Sequence, residues 1–451
     1  MEVTAVFDIG KTNKKFFLFD ENYQEVFKTY EEFEETTDED GFPCDDIFAL
    51  TKWVKTTFQQ ALNHPNFEIR AVNCSAYGAS FVHLNEDGDI IAPLYNYLKP
   101  FPEAIATAFY TKYGSITELA TETASPPLGM LNSGLQLFWL KHTKPDLFRK
   151  IRWSLHLPQY LSYLLSGVPI SDYTSIGCHT MLWDYTKNDY HHWVYQEGID
   201  QILAPIVATD QINQRKIEGK TIRVGAGIHD SSAALLPYRI ISEDHFITLS
   251  TGTWSIALNP FNQEGLSAEE LEQDCLNFLS TDGKMVKAAR LFLGNEYKVW
   301  TKQLALFFKQ PIDLHKSIQP DDTLLKQLDT FPKQVFKWVN ILSEKNEVAA
   351  TDLSQFNTYE MAYHKLMQEL SQLQLAALAL AKGKTSINKI YIDGGFIDNK
   401  LFIHFLTKGL PKAKLLATKT PLGSAIGAAI VLDKPQKVSK VLSQHFNHPN
   451  P

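Results

Sequence analysis

Apolar and polar positions along this chain follow two rhythms that take turns. Near the start, "TAVFDIG" and "KKFFLFD" set an apolar run on each side of a lysine-rich turn, the pattern of two antiparallel strands. "DDIFALTKWVKTTFQQAL" then spaces its apolar residues three and four apart, which predicts an amphipathic helix capped by Asp45 or Asp46. "EIRAVNCSAYG" reads as a strand ending in small residues, and "LPQYLSYLLSG" as a helix stopped by Gly167. "TIRVGAGIHDSSAALLPY" reads as strand, glycine loop and helix. Such alternation defines an α/β fold class.

The opening pattern returns midway. "DHFITLSTGTWSIALNP" is again strand, tight polar turn, strand. The plan repeats while the letters differ, which suggests two related lobes meeting near residue 240. Beyond it, Ser267 and Glu270 form a capping box, and a long helix runs from about Asn357 to Gly383. "KIYIDGG" predicts a strand, "NKLFIHFLTKG" a helix, and the residues after Leu432 a polar, proline-containing tail.

Composition narrows the function. The chain has 451 residues, enough for two or three domains, and a net charge of -8. That charge argues against a broad nucleic-acid face but leaves room for a local anion site. Its four cysteines show no C-x-x-C spacing, so reduced thiols are expected rather than zinc or a disulfide framework. The N-terminus lacks a signal-peptide pattern, and the apolar run "LQLAALALAKGK" is too short to span a bilayer. A cytoplasmic protein with no membrane partner is expected, and a homodimer is compatible with the sequence.

The chemistry concentrates in four turns. In the first hairpin, Gly10 lets the backbone approach an anion, Lys15 can hold phosphate oxygens, and Asp8 at a strand end suits magnesium. A solvated hairpin turn has the same composition. In the second, Ser250, Thr251, Gly252 and Thr253 suit a phosphate cradle, or again a plain turn. In "GAGIHDSSAAL", Asp230 reads as a helix cap or as a general base at a strand-to-helix loop, where ligands of α/β folds collect. His229 beside it reads as a core histidine or a ligand-orienting one. In "YIDGGFIDN", Gly394 and Gly395 serve a tight turn or let a nucleotide approach. Gly423 and Gly427 read as close helix packing, His191-His192 lack zinc spacing, and "YEEFEETTDEDG" reads as a solvated loop or edge strand.

The order of these motifs resembles the FGGY carbohydrate kinases, which phosphorylate sugars with ATP. The likeness runs from Val3 to about Val431 and is strongest to the rhamnulokinase and fuculokinase branch, on "LPQYLSYLLSG", "DYTSIGC", "GIHDSSAAL" and "LSTGTWSIAL". It implies a two-lobed actin/hexokinase-like (ribonuclease H-like) ATPase fold with a central cleft. A sugar-binding lobe would span 1–240, an ATP-binding lobe 241–434 and a polar tail 435–451. By the same resemblance, Asp230 is the catalytic base and Asp8 the acid that orients magnesium. Thr12, Asn13 and Lys15 match the first phosphate loop, and Gly252 and Thr253 the second. Gly394, Gly395 and Asn399 match the segment along the nucleotide, while Tyr77, Gly78, Ser80, His229 and Asp230 fall on the sugar side. On this reading Asp8 and the lysines around it form one half of a split ATP site.

Departures fall on the sugar side. Where rhamnulokinases tend to have W-G-V-D, this chain has "YGAS", and their Y-R-D is "YLK" here, with Leu98 and Lys99. The phosphoryl-transfer set is kept and the sugar contacts are altered, which implies a pentulose or deoxyhexulose. The competing readings are a catalytically silent sugar or nucleotide sensor, opposed by retention of Asp8 and Asp230, and an actin-like polymer, which lacks an evident assembly segment.

Overall fold

A computed structural model of the chain describes residues 1–341, 347–417 and 423–446. It divides into two compact units. One comprises Met1–Ser242, Asn277–Met285 and the described residues from Gly423 on, and the other Glu243–Leu276 and the described residues of Val286–Pro421.

The first unit is built on a seven-stranded mixed sheet. Glu2–Ile9, Lys14–Phe19 and Glu25–Glu31 form an antiparallel meander. Glu68–Ala76 pairs parallel to Glu2–Ile9, and Lys220–Gly225 and Ile228–His229 pair parallel to Glu68–Ala76. Glu2–Ile9 and Lys14–Phe19 are apolar on both faces because helices cover both, whereas Glu25–Glu31 is mostly exposed. Phe7, Ile9, Phe16 and Leu18 pack with the helices Ile47–Leu62 and Leu157–Ser166. Val6, Phe17 and Phe19 pack with Asp230–Ile241 and Gly423–Ile430. Those two helices approach closely: a Cβ at Gly427 would collide with the Ala233 carbonyl.

The predicted helix caps resolve. Asp46, not Asp45, caps Ile47–Leu62, accepting from the amides of Phe48 and Ala49 at 2.9 Å. Gly167 ends Leu157–Ser166 in the left-handed region, at φ 70°. Two expectations change. Residues from Gly423 on belong to the first unit rather than the second, since their apolar face completes the core beneath the first sheet. The expected tail contains a helix, Pro435–Phe446, which buries Val438 and Leu442 there; residues 447–451 lie outside the described residues.

The second unit repeats the plan. Phe246–Thr251, Ser255–Asn259 and Met285–Leu291 lie side by side as antiparallel strands, with Cys275–Leu279 at the edge next to the last. Lys389–Gly394 then pairs parallel to Phe246–Thr251, and Lys414–Ala417 parallel to Lys389–Gly394. The repeat seen in the letters as one hairpin is thus a repeat of strand order. The long helix runs Tyr359–Lys382, capped by Thr358. Among the described residues, no helix is long and apolar enough to cross a membrane and no acid, cysteine and histidine cluster could hold a metal on three ligands. Cys44, Cys74, Cys178 and Cys275 are free and buried.

Candidate functional site

In the first unit, strand pairing brings the sequence-predicted residues to one end of the sheet. Asp8 lies opposite Lys15 on one neighbour and Ser75 on the other. Ile9 and His229 both pair with Ala76, so Asp230 begins its helix at the same edge. This edge is the carboxyl end of the parallel strands, where α/β folds leave room for ligands.

Side-chain alternation then sorts the charges. Asp8 shares its sheet face with Val6, and Lys15 with Phe17, the face covered by the Asp230 and Ser424 helices. The Ser424 hydroxyl donates to Asp8 Oδ1 at 2.9 Å. Burial raises the Asp8 pKa above the usual carboxylate value; Ser424 opposes this, the Asp230 charge adds to it, and Lys15 and Ser75 oppose it. Asp8 with the hydroxyls of Ser424 and Ser75, beside the negative charge of Asp230, makes a hard oxygen donor set. Magnesium fits it.

Lys14 faces the opposite side of the sheet, which corrects the reading of the lysines as one phosphate-binding group. Its ammonium is buried 2.9 Å from Asp45 Oδ1, and the Lys11 ammonium lies 2.5 Å from Asp45 Oδ2. Tyr77 OH donates to that same Oδ2 at 2.8 Å. Burial alone would raise the Asp45 pKa, but the hydrogen bonds from Lys11 and Lys14 outweigh it and hold the carboxyl below its ordinary value. A single acid therefore engages two of the three lysines, and only Lys15 remains on the Asp8 face. Thr12 and Asn13 form the turn itself, where Gly10 N–H donates to the Asn13 carbonyl at 2.9 Å.

Asp230 occupies the first turn of its helix. Its Oδ1 accepts from the Ser231 amide at 2.5 Å and stands 3.2 Å from His229 Nε2. That same ring nitrogen is 3.2 Å from Cys178 Sγ, so His229 links the acid to a buried thiol. Gly78 is required there: a Cβ would come within 2.9 Å of Cys178 Sγ and 3.1 Å of the His229 ring. Ser80 is buried, and its carbonyl accepts from Leu157 N at 3.1 Å. Leu98 is exposed, while Lys99 is tied to Asp38 and Asp40, each at 2.5 Å.

In the second unit, the hairpin turn and the D-G-G turn are stapled together. Thr251 Oγ1 donates to the Asp393 carbonyl at 2.5 Å, and Phe396 N–H donates to Thr251 Oγ1 at 3.3 Å. Gly394, at φ 89°, passes so close to the Thr251 carbonyl that a Cβ would collide with it. Gly294 meets Gly252 in the same way, and Gly294 N–H donates to the Thr253 carbonyl at 3.1 Å. Three glycine-bearing turns thus line a cavity of about 260 Å³, bounded by Thr251, Gly252, Thr253, Gly395 and Asn399 with Tyr297 and Phe396. Five of the residues read from the sequence meet here: Thr251, Gly252, Thr253, Gly395 and Asn399. Gly394 shapes the wall from behind. Asn399 caps the helix Lys400–Gly409, accepting from Phe402 N at 3.1 Å and donating to Tyr363 OH at 2.9 Å.

Sequence reasoning missed Gly294, Tyr297 and Ser424. "LFLGNEY", a glycine between a strand and a helix, was the available signal for the first two. Ser424 lay inside the small-residue stretch assigned to helix packing.

Comparison with known proteins fits this arrangement. The family description "FGGY family of carbohydrate kinases, N-terminal domain" matches residues 3–236, and "Carbohydrate kinase FGGY, C-terminal domain" matches 243–440. The chain belongs to the FGGY family of carbohydrate kinases. Curated relatives include a rhamnulokinase of Halalkalibacterium halodurans, 22% identical over 57% of this chain, and one of Pectobacterium atrosepticum, 24% identical over 64%. The chain spans only 56% and 55% of those relatives' own lengths. Among solved structures, a carbohydrate kinase from Novosphingobium aromaticivorans superposes with a TM-score of 0.78 at 24% identity, over 95% of this chain and 91% of that one. A xylulose kinase from Lactobacillus acidophilus gives 0.77 at 14% identity, over 98% and 92%. These likenesses establish the two-domain actin/hexokinase-like fold of the FGGY sugar kinases.

Proposed function

We propose that this FGGY member transfers the γ-phosphoryl group of ATP to a hydroxyl of a ketose, a pentulose or deoxyhexulose, with Asp230 as general base. The observation that carries the reading is the pairing of Asp230 with Asp8 on one face at the carboxyl end of the first sheet. Phosphoryl transfer needs positioning and charge neutralisation more than covalent chemistry. Asp230, oriented by the Ser231 amide and next to His229, accepts the proton of the attacking hydroxyl. His229, Gly78, Ser80 and Tyr77 shape the sugar side. Asp8 and its serine neighbours would hold magnesium, which supplies charge neutralisation at the phosphates. Lys15, Thr12 and Asn13 serve the phosphate side of the first unit. In the second unit, Gly252, Thr253 and Gly395 offer backbone at open surface for the nucleotide, with Gly394 and Asn399 as framework.

The sugar is not L-rhamnulose on this reading, although curated relatives carry that name. A site that hydrogen-bonds a hydroxyl rejects an analogue lacking it by ~10⁴-fold, and the polar groups expected near Ser80, Leu98 and Lys99 are replaced or turned away. Magnesium-ATP turnover across L-rhamnulose, L-fuculose, L- and D-ribulose, and L- and D-xylulose tests both statements. Sugar-dependent ADP formation supports the kinase reading. ATP binding with no turnover on any sugar would favour a sensor, and a preference for L-rhamnulose would overturn the specificity alone.

A further inference from the structure

We infer that Lys11 is a specificity-determining residue of the sugar pocket, donating a charge-assisted hydrogen bond to an oxygen of a neutral ketose. This rests on the kinase reading above and moves Lys11 from the nucleotide to the sugar. The Lys11 ammonium lies 6.0 Å from the ring centroids of both Tyr77 and Tyr97, whose rings meet edge-on at 6.1 Å. Tyr77 is buried and Tyr97 half-buried, so it is Tyr97 that presents ring surface beside the cation, an amphipathic notch of the kind that takes a sugar's C–H face and its hydroxyls together.

The notch lies within electrostatic reach of the candidate base. Burial raises the Tyr97 pKa; Lys11 opposes the rise, and Asp45 and then Asp230 add to it, so one phenol senses both the lysine and the catalytic acid.

Lys11 is also held in place. Asp45 accepts from Lys11, Lys14 and Tyr77, which fixes the carboxylate on three sides. Lys14 is 3% exposed and Asp45 9%, whereas Lys11 keeps 24% of its side chain open. An ammonium has three donors. Asp45 takes one at 2.5 Å, and Glu35 stands at 3.5 Å. A donor remains for a ligand oxygen. The paired acids offset the lysine's charge, so the group suits a hydroxyl or carbonyl oxygen better than a phosphate or carboxylate.

The altered segments leave a need for such a donor. Lys99 points its ammonium to Asp38 and Asp40, and Leu98 is exposed. A cation that the "YLK" segment does not supply comes instead from the turn after Gly10.

The test uses the full chain, Lys11→Met and Lys11→Arg, with the six sugars named above. Binding of each sugar without ATP is followed by calorimetry, and KM for sugar and for ATP by steady-state kinetics. For the best-bound sugar, Lys11→Met should weaken binding and raise the sugar KM by about 10–100-fold, the loss of one charged hydrogen bond. The ATP KM should stay within about twofold, and Lys11→Arg should recover most of the sugar affinity. A raised ATP KM with unchanged sugar binding would return Lys11 to the phosphate side and overturn the inference. So would unchanged sugar binding in Lys11→Met, or wild-type binding of none of the six. Sugar binding that depends on Lys11 but leads to no ADP formation would overturn the kinase reading and leave this inference standing.

Discussion

The two hairpins that open the two units share strand order and differ in chemistry. The first, Glu2–Ile9 with Lys14–Phe19, carries charged side chains: Asp8 and Lys15 on one face, Lys14 on the other. The second, Phe246–Thr251 with Ser255–Asn259, carries no charged residue in its turn. Its turn is a glycine, a hydroxyl and the exposed Trp254, pinned by neighbouring backbone at Gly294 and Gly394. One topology thus carries two kinds of turn: one beside charged side chains, and one whose backbone lies open. Substitutions at the first should change chemistry, and at the second, affinity.

The largest effect is expected at the first. Asp230→Asn keeps size and removes the base, so kcat should fall by ~10²–10⁴-fold with nucleotide binding retained. A near-parental kcat for the best sugar would remove Asp230 from its role. Asp8 comes next, with a sign that can be worked out. Its folded pKa is raised above the ordinary 3.8, so its protonated form stabilises the fold below that value, and this contribution is lost as pH rises through the folded pKa. At neutral pH without metal, Asp8→Asn should therefore raise the unfolding midpoint. The same change should lower kcat by ~10–10²-fold, and magnesium should raise the midpoint of the parent but not of the variant. A scanning-calorimetry series with and without magnesium reads both. A lower midpoint for the metal-free variant would mean the carboxylate is not strained.

How much of this contrast the letters carry depends on the residue. The placement of Asp8, Asp230 and the glycines at strand ends and turns was legible because such positions have short-range signatures. The three lysines were not, since adjacent residues on a strand point to opposite faces, and the partner that claims Lys11 and Lys14 lies some thirty residues on, at Asp45. Asp45 and Asp46 both read as candidate helix caps because acids before an apolar-periodic run often are; one residue of offset decided between cap and ion pair. Ser424 was hidden by distance, reaching Asp8 across 416 positions of sequence. Tyr297 enters its cavity only because a Cβ-free Gly294 lets its helix abut the second hairpin. Such long-range placements follow from packing, and a single sequence does not display packing.

A smaller effect is expected at the second hairpin and its neighbour. A Cβ at Gly395 would meet no atom within 4 Å, and one at Gly252 only the Trp254 carbonyl at 3.7 Å. Neither glycine is therefore needed for the fold. Gly395→Val and Gly252→Val should leave the unfolding midpoint near the parental one yet raise the ATP KM by about tenfold, since a branched side chain holds the nucleotide off the backbone. Normal ATP binding by both folded variants would dissociate this cavity from the nucleotide.

Asn399 should show the smallest effect, and of a different kind. It borders the same cavity, but its Oδ1 caps the helix Lys400–Gly409 and its Nδ2 donates to Tyr363 OH. Replacing an asparagine cap by alanine costs ~1 kcal/mol. Asn399→Ala should therefore lower stability by about that amount in a urea titration, while the ATP KM changes by less than about threefold. Asn399→Asp keeps the capping oxygen and loses the donor to Tyr363, so it should recover part of the stability. An Asn399→Ala protein of parental stability with a tenfold weaker ATP KM would reverse the assignment: Asn399 would then touch the nucleotide directly, and the second unit would depend on a side chain as the first does.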